Sequence, residues 1–168
     1  MEVRSGEEEE NVLYTARAKL FVYGETMLDK GTGIKNWIER GIGDVRMLQH
    51  RTTGHIRILM RQEKILKIIC NHQIDPRIEL TPNIGNDRSW VWRAYDFSDG
   101  VELVETMFAI RFKDTDVANE FKNEFEKYQL ENKKFYEGAD TADTSAGDAI
   151  AEAFVGISTA DTNAAPNE

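Results

Sequence analysis

Two kinds of residue in this 168-residue chain are placed to do ionic chemistry. Glu7, Glu8, Glu9 and Glu10 follow one another near the start. Arg46, Arg51, Arg57 and Arg61 fall between Val45 and Gln62, a stretch without any acid. Runs of one sign recognise the opposite sign, so these are candidate docking residues rather than candidate catalysts. A third element, Trp37-Ile38-Glu39-Arg40-Gly41-Ile42-Gly43, sets a large aromatic beside an acid, a base and two glycines. By residue type Trp37 is as readily a core residue as a surface one. The glycines read as a turn, and Val45 begins a strand.

Other chemistries are poorly served. Gly41-Ile42-Gly43 opens like a phosphate-binding glycine motif, but Arg46 stands where a third glycine is needed, and no Lys-Ser/Thr follows. No nucleophile has a visible base, so no catalytic residue is assigned and the chain is not expected to be an enzyme. His50 and His55 lack an acidic or cysteine partner, so no metal or cofactor is expected. His72 reads as a satisfied polar residue. Cys70 is the only cysteine, which excludes an internal disulfide, and it shares the parity of Leu66 and Ile68, so a buried, inert thiol is expected. The start is charged, unlike a signal peptide, and no apolar run is long enough to span a membrane. The single cysteine and the lack of a glycosylation sequon favour a reducing compartment, cytosol or nucleus.

The net charge of −9 conceals a division. Residues 35–113 hold 13 basic and 10 acidic side chains, whereas the rest of the chain holds 8 and 20. Three regions follow. Residues 1–11 are an acidic, flexible arm whose repelling carboxylates need a basic partner to become ordered. Residues 12–134 are a folded domain. Residues 135–168, rich in Ala, Asp, Thr and Gly, are expected to be a disordered acidic tail. In that tail Ile150, Phe154 and Ile157 have a spacing tolerable for a nuclear export signal, a pattern that such tails also produce by chance.

The elements that position these residues are mostly strands. "ARAKLFVY" is rich in aromatic and β-branched types. In "HIRILMR", Ile56, Ile58 and Met60 alternate with Arg57, Leu59 and Arg61, so period two puts the arginines on one face. In "ILKIICN" the same rule sets Leu66, Ile68 and Cys70 opposite Ile65, Lys67 and Ile69. "SWVWRAYDF" and "MFAIRF" are later strands, with Trp90 and Trp92 on one face and structural. "TTGH", "RQEK", "PNIGNDR" and "FSDG" are turn signals. After Asp114, Thr115 and Asp116, the candidate N-caps, Val117, Phe121, Phe125 and Tyr128 recur at helical spacing. That apolar stripe must be buried, and an open end of the strand barrel is where it fits. The fold expected is mainly β with one C-terminal helix, a pleckstrin-homology-like barrel capped by an amphipathic helix.

Several separated motifs then resemble one family in its own order. Trp37 to Val45 is similar to the Trp-Lys-Glu-Arg-Gly signature of Ran-binding domains. "RILMR" (57–61), "LKIICNH" (66–72), "NIGNDRSWVW" (83–92), "DFSDG" and "FAIRF" complete the resemblance over roughly residues 8–133. The chain departs from the family at Ile38, where Lys is usual, in a longer segment before Trp37, and at Asn86, where Ser is usual. The resemblance implies a module that binds the GTP-bound form of the small GTPase Ran. It would assist hydrolysis driven by the GTPase-activating protein and release of importin-type receptors in nucleocytoplasmic transport, in the cytoplasm or at the cytoplasmic face of the nuclear pore complex. By the same resemblance, Glu7, Glu8, Glu9 and Glu10 reach a basic surface of Ran. Trp37, Glu39 and Arg40 touch its switch region. Arg46, Arg57, Arg61 and Lys67 receive its acidic C-terminal tail. The alternatives are a phosphoinositide-binding module and a binder of single-stranded nucleic acid. The acidic arm opposes the first, and the pI near 4.9 opposes the second. Neither a membrane nor a nucleic acid is therefore expected as a partner.

Overall fold

Alternating apolar and polar side chains give β3 (Ile56–Arg61) its place, with Ile56, Ile58 and Met60 fully buried. The computed structural model describes residues 6–141. Around β3 stand β1 (Glu10–Gly24), β2 (Asn36–His50), β4 (Ile68–Gln73), β5 (Thr81–Asn83), β6 (Asn86–Asp96) and β7 (Val104–Arg111). The helices α1 (Thr115–Asn132) and α2 (Lys134–Thr141) follow.

The seven strands form one antiparallel sheet in the order β4-β3-β2-β1-β7-β6-β5. Its ends meet. The Asn71 N–H on β4 donates to Asp96 Oδ1 at 2.9 Å, and the Phe97 N–H donates to the Asn71 carbonyl at 2.9 Å. These bonds satisfy groups that an open edge would expose, and they curl the sheet towards a barrel.

Helix α1 starts where Asp114 accepts the Val117 N–H at 2.9 Å, an N-cap that satisfies one orphan donor. Its Phe121 and Phe125 are fully buried against Trp92 and Phe112, each phenylalanine contributing roughly 1.5–3 kcal/mol by leaving water. Trp90 Nε1–H donates to the Ala118 carbonyl at 2.7 Å, which fixes the helix over the barrel mouth. At the far end Asn132 accepts the Ile56 N–H and donates to the carbonyls of Ile56 and Ile74. Helix α1, β3 and the residue that follows β4 therefore share one buried, satisfied amide.

The sequence expectation fails in four places. Gly41 and Gly43 form no turn, because β2 runs unbroken from Asn36. A Cβ on Gly43 would sit 2.1 Å from the Arg61 carbonyl oxygen, and one on Gly41 would sit 2.9 Å from Ile69 Cδ1. The glycines let β2 cross the β3–β4 corner closely, where the Glu63 N–H donates to the Ile42 carbonyl at 2.9 Å. The strand after that corner begins at Ile68, not Ile65. Leu66 takes a left-handed turn at φ 61 and is exposed. A register shift opposite Met60 and Arg61 then brings Ile69 and Cys70, neighbours of opposite parity, both into the core.

The third departure is at the start. Glu10 and Asn11 already belong to β1, opposite His50 and Gln49, so the arm's last two residues are part of the sheet. The fourth is at the end. Helix α2 occupies residues where composition predicts a tail. Phe135 stacks on His55 at 3.8 Å between centroids, and Tyr136 is buried with the Arg77 guanidinium 5.4 Å from its ring centre. Residues 142–168, including the 150–157 segment, lie outside the described residues. No helix among the described residues is long and apolar enough to cross a membrane.

Candidate functional site

Period two places Arg57 and Arg61 on the outer face of β3, and the β2–β3 register sets Arg46 opposite Leu59, on that same face. The arginines do come together, but the arm is with them. Arg57 holds Glu10 in a two-bond fork, Nε to Oε2 and Nη2 to Oε1, both at 2.8 Å. Its Nη1 donates to Asn71 Oδ1 at 3.0 Å. The side chains of this pair are only 10% and 7% exposed. Arg57 is therefore fixed inside the fold and is not the open face residue expected from its parity.

Glu7 meets the other two arginines. Its Oε2 accepts from Arg61 Nε at 2.9 Å, and its Oε1 lies 3.6 Å from Arg46 Nη1. Arg61 also donates from Nη1 to the Leu66 carbonyl at 3.0 Å. Glu7 and Glu10 thus meet basic partners, as repelling carboxylates require, but those partners belong to the same chain. Glu8 and Glu9 are exposed. Lys67 lies in the β3–β4 turn, and no ion pair joins it among the described residues.

The tryptophan motif divides. Trp37 is 40% exposed and faces Tyr23 across the β1–β2 register, the rings tilted with centroids 5.2 Å apart. Of the two readings open for Trp37, the surface one holds. Tyr23, itself 44% exposed, escaped selection from the sequence. Only the hairpin register across the 25–35 loop brings it opposite Trp37. Glu39 lies 3.6 Å from Lys19 on β1. Arg40 does not join them. The register passes from Phe21↔Glu39 to Leu20↔Gly41, so Arg40 is the extra residue of a bulge. Its guanidinium points to Asp96 at 3.4 Å. Asp96 is buried and also accepts from the Ser98 hydroxyl and the Asn71 N–H. Arg40 thus ties β2 to the barrel seam. "YDFSDG" holds this carboxylate in plain view, yet nothing in the sequence names its partner.

Both ring nitrogens of the buried His72 are satisfied, whereas the buried Gln73 side-chain amide and Tyr136 hydroxyl have no hydrogen-bond partner among the described residues. Trp92 Nε1–H donates to His72 Nε2 at 3.0 Å, so that nitrogen is unprotonated. The proton sits on Nδ1, which donates to the Gln73 carbonyl at 2.7 Å. Burial holds His72 below its ordinary pKa and so keeps it neutral. Cys70 is buried, and desolvation pushes its thiol well above the usual range, which makes it inert. Among the described residues no three His, Cys, Asp or Glu side chains gather to hold a metal ion.

A helix-capped antiparallel barrel of pleckstrin-homology-like fold, carrying an arginine face and an exposed aromatic pair, is a binding module. Two solved structures share the fold. The Ran-binding domain of the nuclear complex component Nup2 from Ashbya gossypii superposes with a TM-score of 0.56 at 22% identity, covering 73% of this chain and 97% of that one. The EVH1 domain of Dm DCP1, solved with an XRN1 peptide, gives 0.51 at 6% identity over 74% of this chain and 81% of that one. In sequence, the E3 SUMO-protein ligase RanBP2 of Homo sapiens is 47% identical over 129 residues, 77% of this chain. RanBP2-like and GRIP domain-containing protein 3 of Homo sapiens is 44% identical over 134 residues, 80% of this chain. The chain spans only 4% and 7% of the length of these two relatives. The RanBP1 domain family matches residues 2–131, and the chain belongs to that family.

Proposed function

We propose that this domain binds the GTP-bound form of Ran. The observation that carries this reading is the RanBP1 domain match over residues 2–131. The geometry supports it in two ways. Trp37 and Tyr23 present an aromatic pair at one end of the β1–β2 hairpin, the kind of anchor that dominates protein interfaces. Arg46 and Arg61 present cations farther along, suited to the acidic C-terminal tail of Ran. Nine residue steps of strand separate Trp37 from Arg46, at most about 30 Å. One partner that offers a switch surface and a tail can span that length.

Selectivity for GTP follows if the partner's switch loop is ordered only by the γ-phosphate. The domain supplies no catalytic group. It assists GTPase-activating-protein-driven hydrolysis and receptor release by holding Ran's tail away from other sites, a shift driven by differential affinity. The setting is nucleocytoplasmic transport, in the cytoplasm or at the cytoplasmic face of the nuclear pore complex. Glu8 and Glu9 are the arm carboxylates for a basic surface of Ran. Titration calorimetry with Ran-GTP and Ran-GDP tests the reading. Much tighter binding of the GTP form is expected, and equal affinity for both would overturn it.

A further inference from the structure

We infer that the domain carries a second binding site, at the seam between β4 and β6, and that this site takes an extended, uncharged peptide segment as an added strand. None of the residues that line it belongs to β1, β2 or β3, so it is built from other elements than the face assigned to Ran and does not rest on that reading.

Among the described residues the seam is closed through Asn71, which reaches Asp96 and Phe97. Beyond that point β4 and β6 face each other across a gap. On the other flank, β5 follows β6 only as far as Thr81↔Val91. Trp92 to Tyr95 therefore have β7 on one side and, among the described residues, no strand on the other. In an antiparallel ladder every second residue turns its N–H and C=O away from its neighbour, so this stretch offers main-chain donors and acceptors to the gap. The gap is a cleft of about 700 Å³, with Gln73 at the end of β4 on one wall and Trp92 to Tyr95 on the other. That volume suits a short peptide segment.

Gln73 is the second observation. It is 1% exposed, and its amide Oε1 and Nε2 meet no partner among the described residues. A buried, unpaired amide costs stability. This one is shut in beside the cleft that its residue lines, and it has no hydrogen bond to lose when it swings toward a ligand. Its carbonyl and NH₂ are complementary to the N–H and C=O of a peptide group. Around it the cleft is largely apolar, with Ile78, Val91, Trp92, Leu103 and Met107 among its lining. The charges at the rim answer one another, Asp75 with Arg77 at 2.7 Å and Arg93 with Glu105 at 4.0 Å, and Glu79 is the remaining acid. An ion gains little here. An uncharged segment buries its apolar side chains and makes main-chain bonds on both edges, to β6 on one side and to Gln73 on the other.

The test uses the full chain, isotope-labelled for NMR, and a pentapeptide of alternating threonine and leucine blocked at both ends. At millimolar concentration the peptide should shift the backbone amide signals of Trp92, Arg93, Ala94 and Tyr95 and the side-chain amide signal of Gln73. A peptide with the same side chains and an N-methylated backbone should bind at least about tenfold more weakly, because it has lost its main-chain donors. Gln73→Leu should bind the first peptide about threefold to tenfold more weakly, the scale of one hydrogen bond. It should melt at the same temperature as the native chain or higher, since an unpaired amide is removed. A lower melting temperature would mean that water or another part of the chain already satisfies the amide, and would overturn its role. Equal binding of the N-methylated peptide overturns strand addition, and signals that stay unmoved around the cleft overturn the site.

Discussion

Arg57 and Arg61 lie on the same face of β3, and each meets a glutamate of the same arm, yet the two pairs do different work. Arg57 and Glu10 are nearly closed off from water and joined by two parallel bonds, with Asn71 taking a third donor. Arg61 and Glu7 are joined by one 2.9 Å contact at a wetter edge, and Glu7 is shared with Arg46. Coulomb attraction at similar distance is worth little in water and much more away from it, but so is the cost of losing one partner. The difference teaches that burial, not residue type, separates an ion pair whose loss would strand a charge from one whose charges water can reach.

Arg57→Ala should show the largest effect. It strands a buried carboxylate, and urea unfolding should register a loss of about 3–5 kcal/mol. Arg57→Met combined with Glu10→Leu should recover most of that loss, since neither charge is then left alone. If Arg57→Ala is as mild as a surface change, the contrast between the pairs collapses. Reversing Arg57 to test partner binding would mainly unfold the protein, so such tests belong on Arg46 and Arg61.

Trp37→Ala comes next and probes the opposite end of the hairpin. Ran-GTP affinity should fall by about 2 kcal/mol or more, the loss of a central aromatic anchor. Stability should fall by less than about 1 kcal/mol, since the side chain forfeits mainly its cross-strand contact with Tyr23. Calorimetry and thermal melting check the two halves. A large fall in melting point with unchanged affinity would place Trp37 among the structural residues, with Arg57.

A smaller effect comes from the inner side of the same strands. His72 is neutral in the fold because burial lowers its pKa from the ordinary 6.5. Below that value the unfolded chain binds a proton that the folded one refuses. Stability is therefore full above about pH 6.5 and falls as pH drops towards the folded pKa, by at most about 1.4 kcal/mol per unit from this group. Urea midpoints at pH 7.5 and pH 6 should show this fall. Flat midpoints would mean that burial does not hold the ring neutral.

Arg61→Ala should change stability least, by no more than about 1 kcal/mol, as expected for a partly exposed pair. Its signature is in binding: slower association with Ran-GTP and a weaker salt dependence, measured by stopped flow. A stability loss equal to that of Arg57→Ala would erase the distinction between the two pairs.

The sequence was sufficient wherever one local rule acted alone. Period two gave the buried face of β3, and helical spacing with Asp114 gave α1, because side-chain direction there follows from backbone geometry. The separated motifs around Trp37 and Trp92 carried the family resemblance, and residue types alone excluded a disulfide. Only the tertiary structure decided the rest, because those outcomes depend on atoms far apart in the chain. Gly43 belongs to a strand because the Arg61 carbonyl approaches it. Ile69 is buried beside Cys70 because a bulge breaks the alternation. Arg40 leaves the Trp37 group because Asp96, 56 positions away, takes its guanidinium. Glu7 and Glu10 read as a solvated arm because their repulsion is local and legible, whereas the arginines that neutralise them are brought up only when β2 and β3 pair.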